Sequence, residues 1–163
     1  MTIRTRVGQG FDIHRFVDGP SDRVLVLGGV KFPNEKPLAG HSDADVIAHA
    51  AADALLGAAS LGDIGMHFPD SDPQWAGINS LTLLAHVAKI VRDAGYEIGN
   101  VDCSIVCEKP KIAPHREAMQ KLLSDAAGAT ITVKGRRAEG LGALGREEGI
   151  ACWAVAVIER TQA

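Results

Sequence analysis

The sequence predicts a single α/β (α+β) domain spanning residues 1–163, with a four- to five-stranded sheet and about three helices on one face. Strand-like apolar segments alternate with three segments of helical period that are rich in alanine and leucine. The 163 residues are 46% hydrophobic and 23% charged, a composition that supports one domain with its own core. Three helices cover only one face of such a sheet, so association with other copies is one way to bury the second face.

The first third of the chain is predicted to form two strands followed by a helix. Residues 3–14 form the first strand and residues 24–32 the second, separated by a turn that contains glycine and proline. Alanine and leucine dominate residues 41–60, which favours a helix. Ser42 and Asp45 are spaced as a capping box, so we expect them to begin this helix.

The remaining two thirds alternate between regular elements and two glycine-rich loops, residues 61–75 and 136–149. Their glycine and charged residues disfavour regular structure, and loops of this length are usually functional. Around them we expect two helices and three strands: helix 80–95, closed by Gly95; strand 101–109; helix 114–128, with Pro114 in its first turn; strand 129–135; and strand 150–160.

Charge, hydropathy and cysteine content argue against several classes of protein. The formal net charge of −3 gives no support for a nucleic-acid partner. No run approaches 18 apolar residues, so no membrane-spanning helix is expected. Cys103, Cys107 and Cys152 are an odd number without a disulfide framework, which predicts a reducing compartment, the cytoplasm. We expect Cys103 and Cys107 to be buried apolar side chains, not metal ligands.

The segment GFDIHRF, residues 10–16, places a carboxylate and an imidazole in a predicted strand. Asp12 and His14 are two residues apart, so both side chains point to the same face of the strand. With His49 from the predicted helix they supply two imidazoles and a carboxylate, a ligand set found at catalytic Zn²⁺ sites. The alternative is that His49 is a hydrogen-bonded core histidine and that Asp45 only caps the helix.

The glycine-rich loops and one strand end carry side chains suited to phosphate groups. The second loop contains Arg136, Arg137 and Arg146; glycine lets backbone N–H groups approach a ligand, and arginine suits phosphate oxygens. Lys109 and Lys111 follow a predicted strand, where α/β folds bind ligands. Each feature alone is compatible with a solvated surface, but together with a metal site they indicate phosphate chemistry.

Five segments in order along the chain carry a recognisable pattern: GFDIHRF, AGHSDADVIAHAAADALLGAASLGDIGMHFPDSDP, GYEIGNVD, EKPKIAPH and GREEGIA. Their D-x-H, HSD-x-D, LGDIG-x-x-FPD and GR-x-EG motifs are highly specific in combination. Through them, and over nearly its whole length, the sequence resembles the 2-C-methyl-D-erythritol 2,4-cyclodiphosphate synthase family of the non-mevalonate isoprenoid pathway.

The resemblance implies a homotrimer whose sheets face inwards, with an active site at each subunit interface. The family reaction cyclises 4-diphosphocytidyl-2-C-methyl-D-erythritol 2-phosphate: the 2-phosphate attacks the β-phosphorus and CMP is released. By resemblance, Asp12, His14 and His49 hold Zn²⁺, and Glu139 helps to hold a second divalent ion, Mg²⁺ or Mn²⁺.

The resemblance also implies the substrate contacts. His41 and Ser42 match phosphate-contacting residues, with His41 at a catalytic position, and Asp63 and Gly65 match residues that bind the methylerythritol hydroxyls. Residues 107–113 match the cytidine pocket that the adjacent subunit contributes. The other matched positions of the substrate site are Asp12, His14, Phe68, Asp70, Asp72, Cys107, Lys111, Ala113, Arg136, Arg137, Glu139, Ala143 and Arg146.

One stretch, KGRRAEGLG, departs from the family pattern. Arg136 and Arg137 stand where the family has threonines that contact phosphates, and Arg137 occupies a catalytic position. An arginine also binds phosphate, but it is larger and carries a fixed positive charge. Ala143 stands where a large aromatic residue is common. Two alternatives to an active synthase therefore stay open: a paralogue that binds metal and cytidine nucleotide without cyclisation, and a metal-dependent phosphohydrolase.

Overall fold

The computed structural model describes residues 2–162, which form a four-stranded sheet, a small hairpin and five α-helices. The sheet has the order β1-β6-β4-β5, and β2 pairs with β3 in the separate hairpin. Only β4 and β5 run parallel; β6 is antiparallel to both of its neighbours. The elements are β1 (Thr2–Arg15), β2 (Leu25–Leu27), β3 (Val30–Phe32), α1 (Val46–Ala59), α2 (Ile64–His67), α3 (Ser80–Asp93), β4 (Glu97–Val106), α4 (Arg116–Ala127), β5 (Thr130–Arg136), α5 (Gly142–Gly145) and β6 (Gly149–Gln162).

The three long helices α1, α3 and α4 lie along one face of the sheet, as the sequence predicts. Helix α1 packs on β1 and β6, α4 packs on β5, and α3 lies between the other two helices. The core fills the space between these helices and the sheet. The remaining helices, α2 and α5, are single turns inside the two segments predicted to be irregular.

Helix α1 lies unusually close to strand β1 because two glycines face it. A β-carbon built on Gly10 would be 1.9 Å from the backbone oxygen of Ala50, and one on Gly8 would be 2.0 Å from that of Ala54. No side chain fits in that space, so the alanine-rich helix and the glycine-containing strand pack backbone against backbone. This contact determines the separation between the side chains that follow on β1 and those on α1.

The other face of β1 and β6 exposes apolar side chains. Phe11 and Trp153 are paired in the sheet register, and their ring centroids are 5.0 Å apart. Their exposed fractions are 44% and 40%, and Val7, Ile13 and Val155 are exposed beside them. The single chain therefore leaves one face of the sheet without a covering layer.

Two predictions about helix starts are wrong in detail. Helix α1 begins at Val46, so Ser42 lies outside it, and the capping residue is Asp45. The Asp45 carboxylate accepts hydrogen bonds from Ile47 N and Ala48 N and also from Gly28 N at 2.9 Å and Gly29 N at 2.8 Å. It thus joins the helix start to the hairpin, which a local capping pattern does not reveal.

The predicted helix 114–128 is split in the structure. Pro114 lies in a 3₁₀ turn, Ala113–His115, and α4 begins at Arg116. Among residues 2–162, none of the helices combines the length and the apolar character that crossing a bilayer requires. Cys103, Cys107 and Cys152 are buried and form no disulfide within the described chain, and their burial is what was predicted for Cys103 and Cys107.

Candidate metal centre and adjoining cavities

Asp12, His14 and His49 come together at the edge of the α1–β1 contact. One ligand atom from each residue lies within 4.8 Å of the other two. Asp12 Oδ2 is 3.1 Å from His14 Nε2 and 3.0 Å from His49 Nδ1. Asp12 and His14 share the helix-facing side of β1, as their spacing predicts, while His49 reaches them from the first turn of α1. The structure therefore supplies a carboxylate and two imidazoles suited to one metal ion.

The tautomer of His14 fits a metal-binding role. Its Nδ1 is 2.6 Å from the carbonyl oxygen of Ala39. A carbonyl only accepts, so Nδ1 donates, and the lone pair of neutral His14 is on Nε2, which faces Asp12. A carbonyl behind a ligating imidazole is the usual outer partner of a metal-bound histidine.

The same contacts perturb the ionisation of both β1 residues. Burial opposes ionisation of Asp12, but hydrogen bonds and charge attraction from His14 and His49 outweigh it and lower the Asp12 pKa to about 2. Burial lowers the pKa of His14, and its hydrogen bond and attraction to Asp12 reverse that effect and raise the pKa overall. The Asp12 carboxyl group is therefore ionised across the neutral pH range, facing both histidines.

A cavity of about 290 Å³ opens beside this group. Many of the residues that the resemblance implied line it: Asp12, His14, His41, Ser42, His49, Gly65, Phe68 and Asp70. Within residues 2–162, His41 Nε2 is a buried nitrogen without a hydrogen-bond partner. A buried polar atom of this kind is costly unless a ligand satisfies it.

Asp63 and Asp72 have local structural partners beside this cavity. Asp63 caps α2 and accepts a hydrogen bond from Met66 N at 3.0 Å. Asp72 caps the 3₁₀ turn Pro73–Trp75 by accepting one from Gln74 N at 3.0 Å. These carboxylates shape the acidic loop, and neither lines the cavity in the single chain.

A second cavity, of about 420 Å³, lies where β4 and β5 end. Five predicted residues line it: Cys107, Lys111, Ala113, Arg136 and Arg137. Among residues 2–162, none lines both cavities, so the two cavities are separate within one chain. Burial and the nearby charges of Glu108 and Glu35 raise the pKa of Cys107 to about 12, which makes its thiol unreactive.

Glu108 holds the loop that follows β5. Its side chain is 8% exposed, lies 3.2 Å from the Arg137 guanidinium and accepts a hydrogen bond from Ala138 N at 2.7 Å. Burial raises its pKa, but the contacts with Arg137 and the Gly140 and Ala138 backbone outweigh that and lower it. Arg137 therefore already has an anionic partner, while its side chain is 70% exposed at the cavity rim.

Besides Asp63 and Asp72, three more predicted residues lie outside both cavities. Glu139 has a left-handed backbone, with φ of 55°, in the turn that follows Arg137. Ala143 belongs to α5. Arg146 donates to Glu148 at 2.8 Å and lines a third cavity, of about 230 Å³. The single chain does not bring these residues to the metal group.

Sequence reasoning missed several residues at these sites. Trp75, Ile78 and Leu83 form an apolar wall of the first cavity, and the Trp75 ring lies edge-on to Phe68 with centroids 4.9 Å apart. Arg116 lines the second cavity. An aromatic residue inside an acidic loop is a usable signal for Trp75, whereas Leu83 and Arg116 look like ordinary helix residues and Ile78 lies in the loop before α3.

The fold and site define a metal-dependent α/β enzyme, in which an Asp-His-His group opens onto a pocket. The chain belongs to the YgbB family, whose sequence model matches residues 5–159. This match, together with the relatives below, confirms the resemblance inferred from the motifs.

The relatives carry a consistent name. The chain is 50% identical over 161 residues to the 2-C-methyl-D-erythritol 2,4-cyclodiphosphate synthase of Geobacillus thermodenitrificans, covering 97% of this chain and 99% of that protein. It superposes on a CDP complex of IspF from Plasmodium falciparum with a TM-score of 0.83 and 34% identity, over 97% of each chain. The bifunctional IspDF of Campylobacter jejuni gives a TM-score of 0.91 at 36% identity, with 99% of this chain but 44% of that one covered.

Proposed function

We propose that the chain cyclises 4-diphosphocytidyl-2-C-methyl-D-erythritol 2-phosphate to 2-C-methyl-D-erythritol 2,4-cyclodiphosphate and releases CMP. The observation that carries this proposal is the Asp12–His14–His49 group at the mouth of a cavity in a chain of this family. The substrate's 2-phosphate oxygen forms a bond to the β-phosphorus while the bond to the CMP oxygen breaks. The nucleophile is already ionised, so no general base is needed.

We assign Zn²⁺ to the Asp12–His14–His49 group. Two imidazoles and one carboxylate leave a fourth position for a substrate oxygen, as catalytic zinc sites require. A bound ion there supplies a Lewis acid for the phosphoryl centre and lessens repulsion between the two phosphate groups. We assign a second divalent ion, Mg²⁺ or Mn²⁺, to the neighbourhood of Glu139.

His41 and Ser42 are proposed to bind the phosphates in the first cavity. His41 lines this cavity and its Nε2 has no hydrogen-bond partner within the described residues, so we assign it a hydrogen bond to a phosphate oxygen, which would accept. Ser42 Oγ accepts a hydrogen bond from Ala44 N at 3.1 Å, which leaves its hydroxyl proton for the ligand. Positioning and charge neutralisation of this kind are the main contributions a protein makes to phosphoryl transfer.

The apolar part of the same cavity is assigned to the branched carbon chain of the substrate. Phe68 and Trp75 supply the wall, and Gly65 and Asp70 lie beside them. Asp63 is proposed to contact the substrate hydroxyls with the carboxylate oxygen that does not cap α2, and Asp72 to support that loop.

The second cavity is assigned to the cytidine and its phosphates. Lys111, Arg136 and Arg137 give it positive charge, and Cys107 and Ala113 are part of its wall. One chain holds the metal group and the nucleotide cavity apart, so we propose that a neighbouring subunit completes each active site. In that arrangement Arg137 exchanges part of its contact with Glu108 for a substrate phosphate.

A homotrimer with the sheets facing inwards is the proposed assembly. The uncovered apolar face of β1 and β6, centred on Phe11 and Trp153, is the surface available for it. Removing such an apolar face from water is the main driving force for most protein association. Ala143 and Arg146 are assigned to the region near the threefold axis.

The test is to incubate the purified protein with the cytidine substrate, Zn²⁺ and Mg²⁺ and to follow CMP release. His49→Ala leaves two protein ligands, so we expect strongly reduced zinc by elemental analysis and loss of CMP release. CMP release without zinc in the parent, or unchanged zinc occupancy in His49→Ala, would remove the metal group from the mechanism. CDP binding without any CMP release would favour the non-cyclising paralogue.

A further inference from the structure

A chain of hydrogen bonds extends from His49 away from the metal group. On one side His49 Nδ1 is 3.0 Å from Asp12 Oδ2. On the other, His49 Nε2 is 2.8 Å from the hydroxyl oxygen of Ser80, the first residue of α3, 31 positions away in sequence. Ser80 has no exposed surface, so water does not compete for this contact.

The direction of each hydrogen bond follows from the donors and acceptors available. A carboxylate accepts and does not donate, so Asp43 accepts from both the backbone N–H of Ser80, at 3.0 Å, and the Ser80 hydroxyl. Because the Ser80 hydroxyl donates its hydrogen bond to Asp43, its oxygen can only accept from His49. His49 Nε2 is therefore the donor in that contact. Ser42 Oγ, 3.1 Å from the same nitrogen, is a second acceptor. With Nε2 as the donor, Nδ1 is the ring nitrogen that a metal can bind; when Nδ1 also carries a proton, it donates to Asp12 Oδ2 instead.

We propose that Asp43 and Ser80 are positioning residues that fix the tautomer and ring orientation of His49 so that Nδ1 is presented to the metal. The inference rests on the metal role proposed for Asp12, His14 and His49. Ser80 would then orient His49 through Nε2 as the Ala39 carbonyl orients His14 through Nδ1. Outer partners of ligating histidines typically contribute 10–100-fold in metal affinity.

A purely structural role makes a different prediction. Asp43 also satisfies a backbone donor in the first turn of α3 and so anchors the start of that helix. If anchoring were the whole role, Ser80→Ala would lower the unfolding temperature while the folded molecules kept the parental metal affinity.

Zn²⁺ affinity, measured by competition with a chromogenic chelator, separates the two roles. Ser80→Ala is expected to weaken binding at least tenfold. The matched control is Ser124→Ala, which removes a serine hydroxyl that contacts Ile131 N at 2.9 Å, far along the chain from His49. The control should lose thermal stability and keep the parental affinity. Parental affinity in Ser80→Ala overturns the proposal, whereas a parent that binds no Zn²⁺ overturns the proposed metal function as well.

A measurement on the unmodified protein covers the case in which Ser80→Ala does not fold. Nitrogen-15 NMR of the Zn²⁺-loaded parent distinguishes the ligating ring nitrogen from the protonated one. We expect His49 to show ligation through Nδ1 and a slowly exchanging proton on Nε2. Ligation through Nε2, or a rapidly exchanging Nε2 proton, overturns the assignment of Ser80.

Discussion

Gly10→Ala tests whether the close contact between β1 and α1 builds the metal centre. The new β-carbon would lie 1.9 Å from Ala50 O and 2.7 Å from Ala54 N. Both contacts are with backbone atoms, so no side-chain rotation relieves them. An ordinary contact between non-bonded heavy atoms is about 3.5 Å, so the helix must move by roughly 1.5 Å from the strand.

That movement acts directly on the metal ligands. Gly10 is two residues before Asp12, and Ala50 directly follows His49, so the clash lies between the two elements that hold these ligands. Metal–ligand distances tolerate only about 0.2 Å. We therefore expect Gly10→Ala to lower the free energy of unfolding by about 1–3 kcal/mol, the usual cost of overpacking, and to weaken Zn²⁺ binding at least tenfold.

Gly57→Ala is the matched control, because Gly57 is on the same helix and faces the same strand. Its nearest contact would be an ordinary 3.7 Å from Gln9 O. Alanine is favoured over glycine in a helix by about 1 kcal/mol, so this variant should be as stable as the parent or more so. Urea unfolding of metal-free protein and chelator competition supply the two readouts. Parental stability and parental Zn²⁺ affinity in Gly10→Ala would refute the argument.

Three further predictions concern the nucleotide cavity, the open sheet face and the buried thiol. Arg137→Thr should weaken CDP binding by about 10- to 150-fold in calorimetry, since a charge-assisted hydrogen bond contributes about 1.5–3 kcal/mol. We expect its turnover to be equal or higher, and parental affinity would mean that Arg137 is not a phosphate ligand. Trp153→Glu places a charge on the apolar face, so light scattering should show a monomer of about 17.1 kDa in place of the proposed trimer. A monomeric parent would exclude the trimer and the shared site. Cys107, with its pKa raised to about 12, should resist alkylation at pH 8 in the folded protein, because only about one thiol in ten thousand is ionised there. It should react in urea, and rapid labelling of the folded chain would contradict its burial.

Short-range patterns predicted much of this molecule. The two-residue spacing of Asp12 and His14 correctly places both on one face of β1, and helix-favouring composition locates the three long helices. Wherever a residue's partner is local in sequence, its environment is largely determined by spacing and chemistry.

Long-range partners account for what the sequence did not reveal. Asp45 was interpreted as half of a local capping box, but it binds the backbone of Gly28 and Gly29, which only the fold brings to it. Ser80 reaches His49 through the packing of α3 on α1, and Glu108 reaches Arg137 across two strand ends. Such contacts leave no periodic signal, because nothing in the local sequence identifies the partner.

The measurement that tests the central claim most directly is the mass of the products formed in ¹⁸O-labelled water. Cyclisation uses an oxygen of the substrate's own 2-phosphate, so the two products together have the composition of the substrate. We predict unlabelled CMP and an unlabelled cyclic diphosphate. A phosphohydrolase would add one water, so ¹⁸O in either product together with a linear methylerythritol phosphate would contradict the assignment of this chain as a cyclodiphosphate synthase.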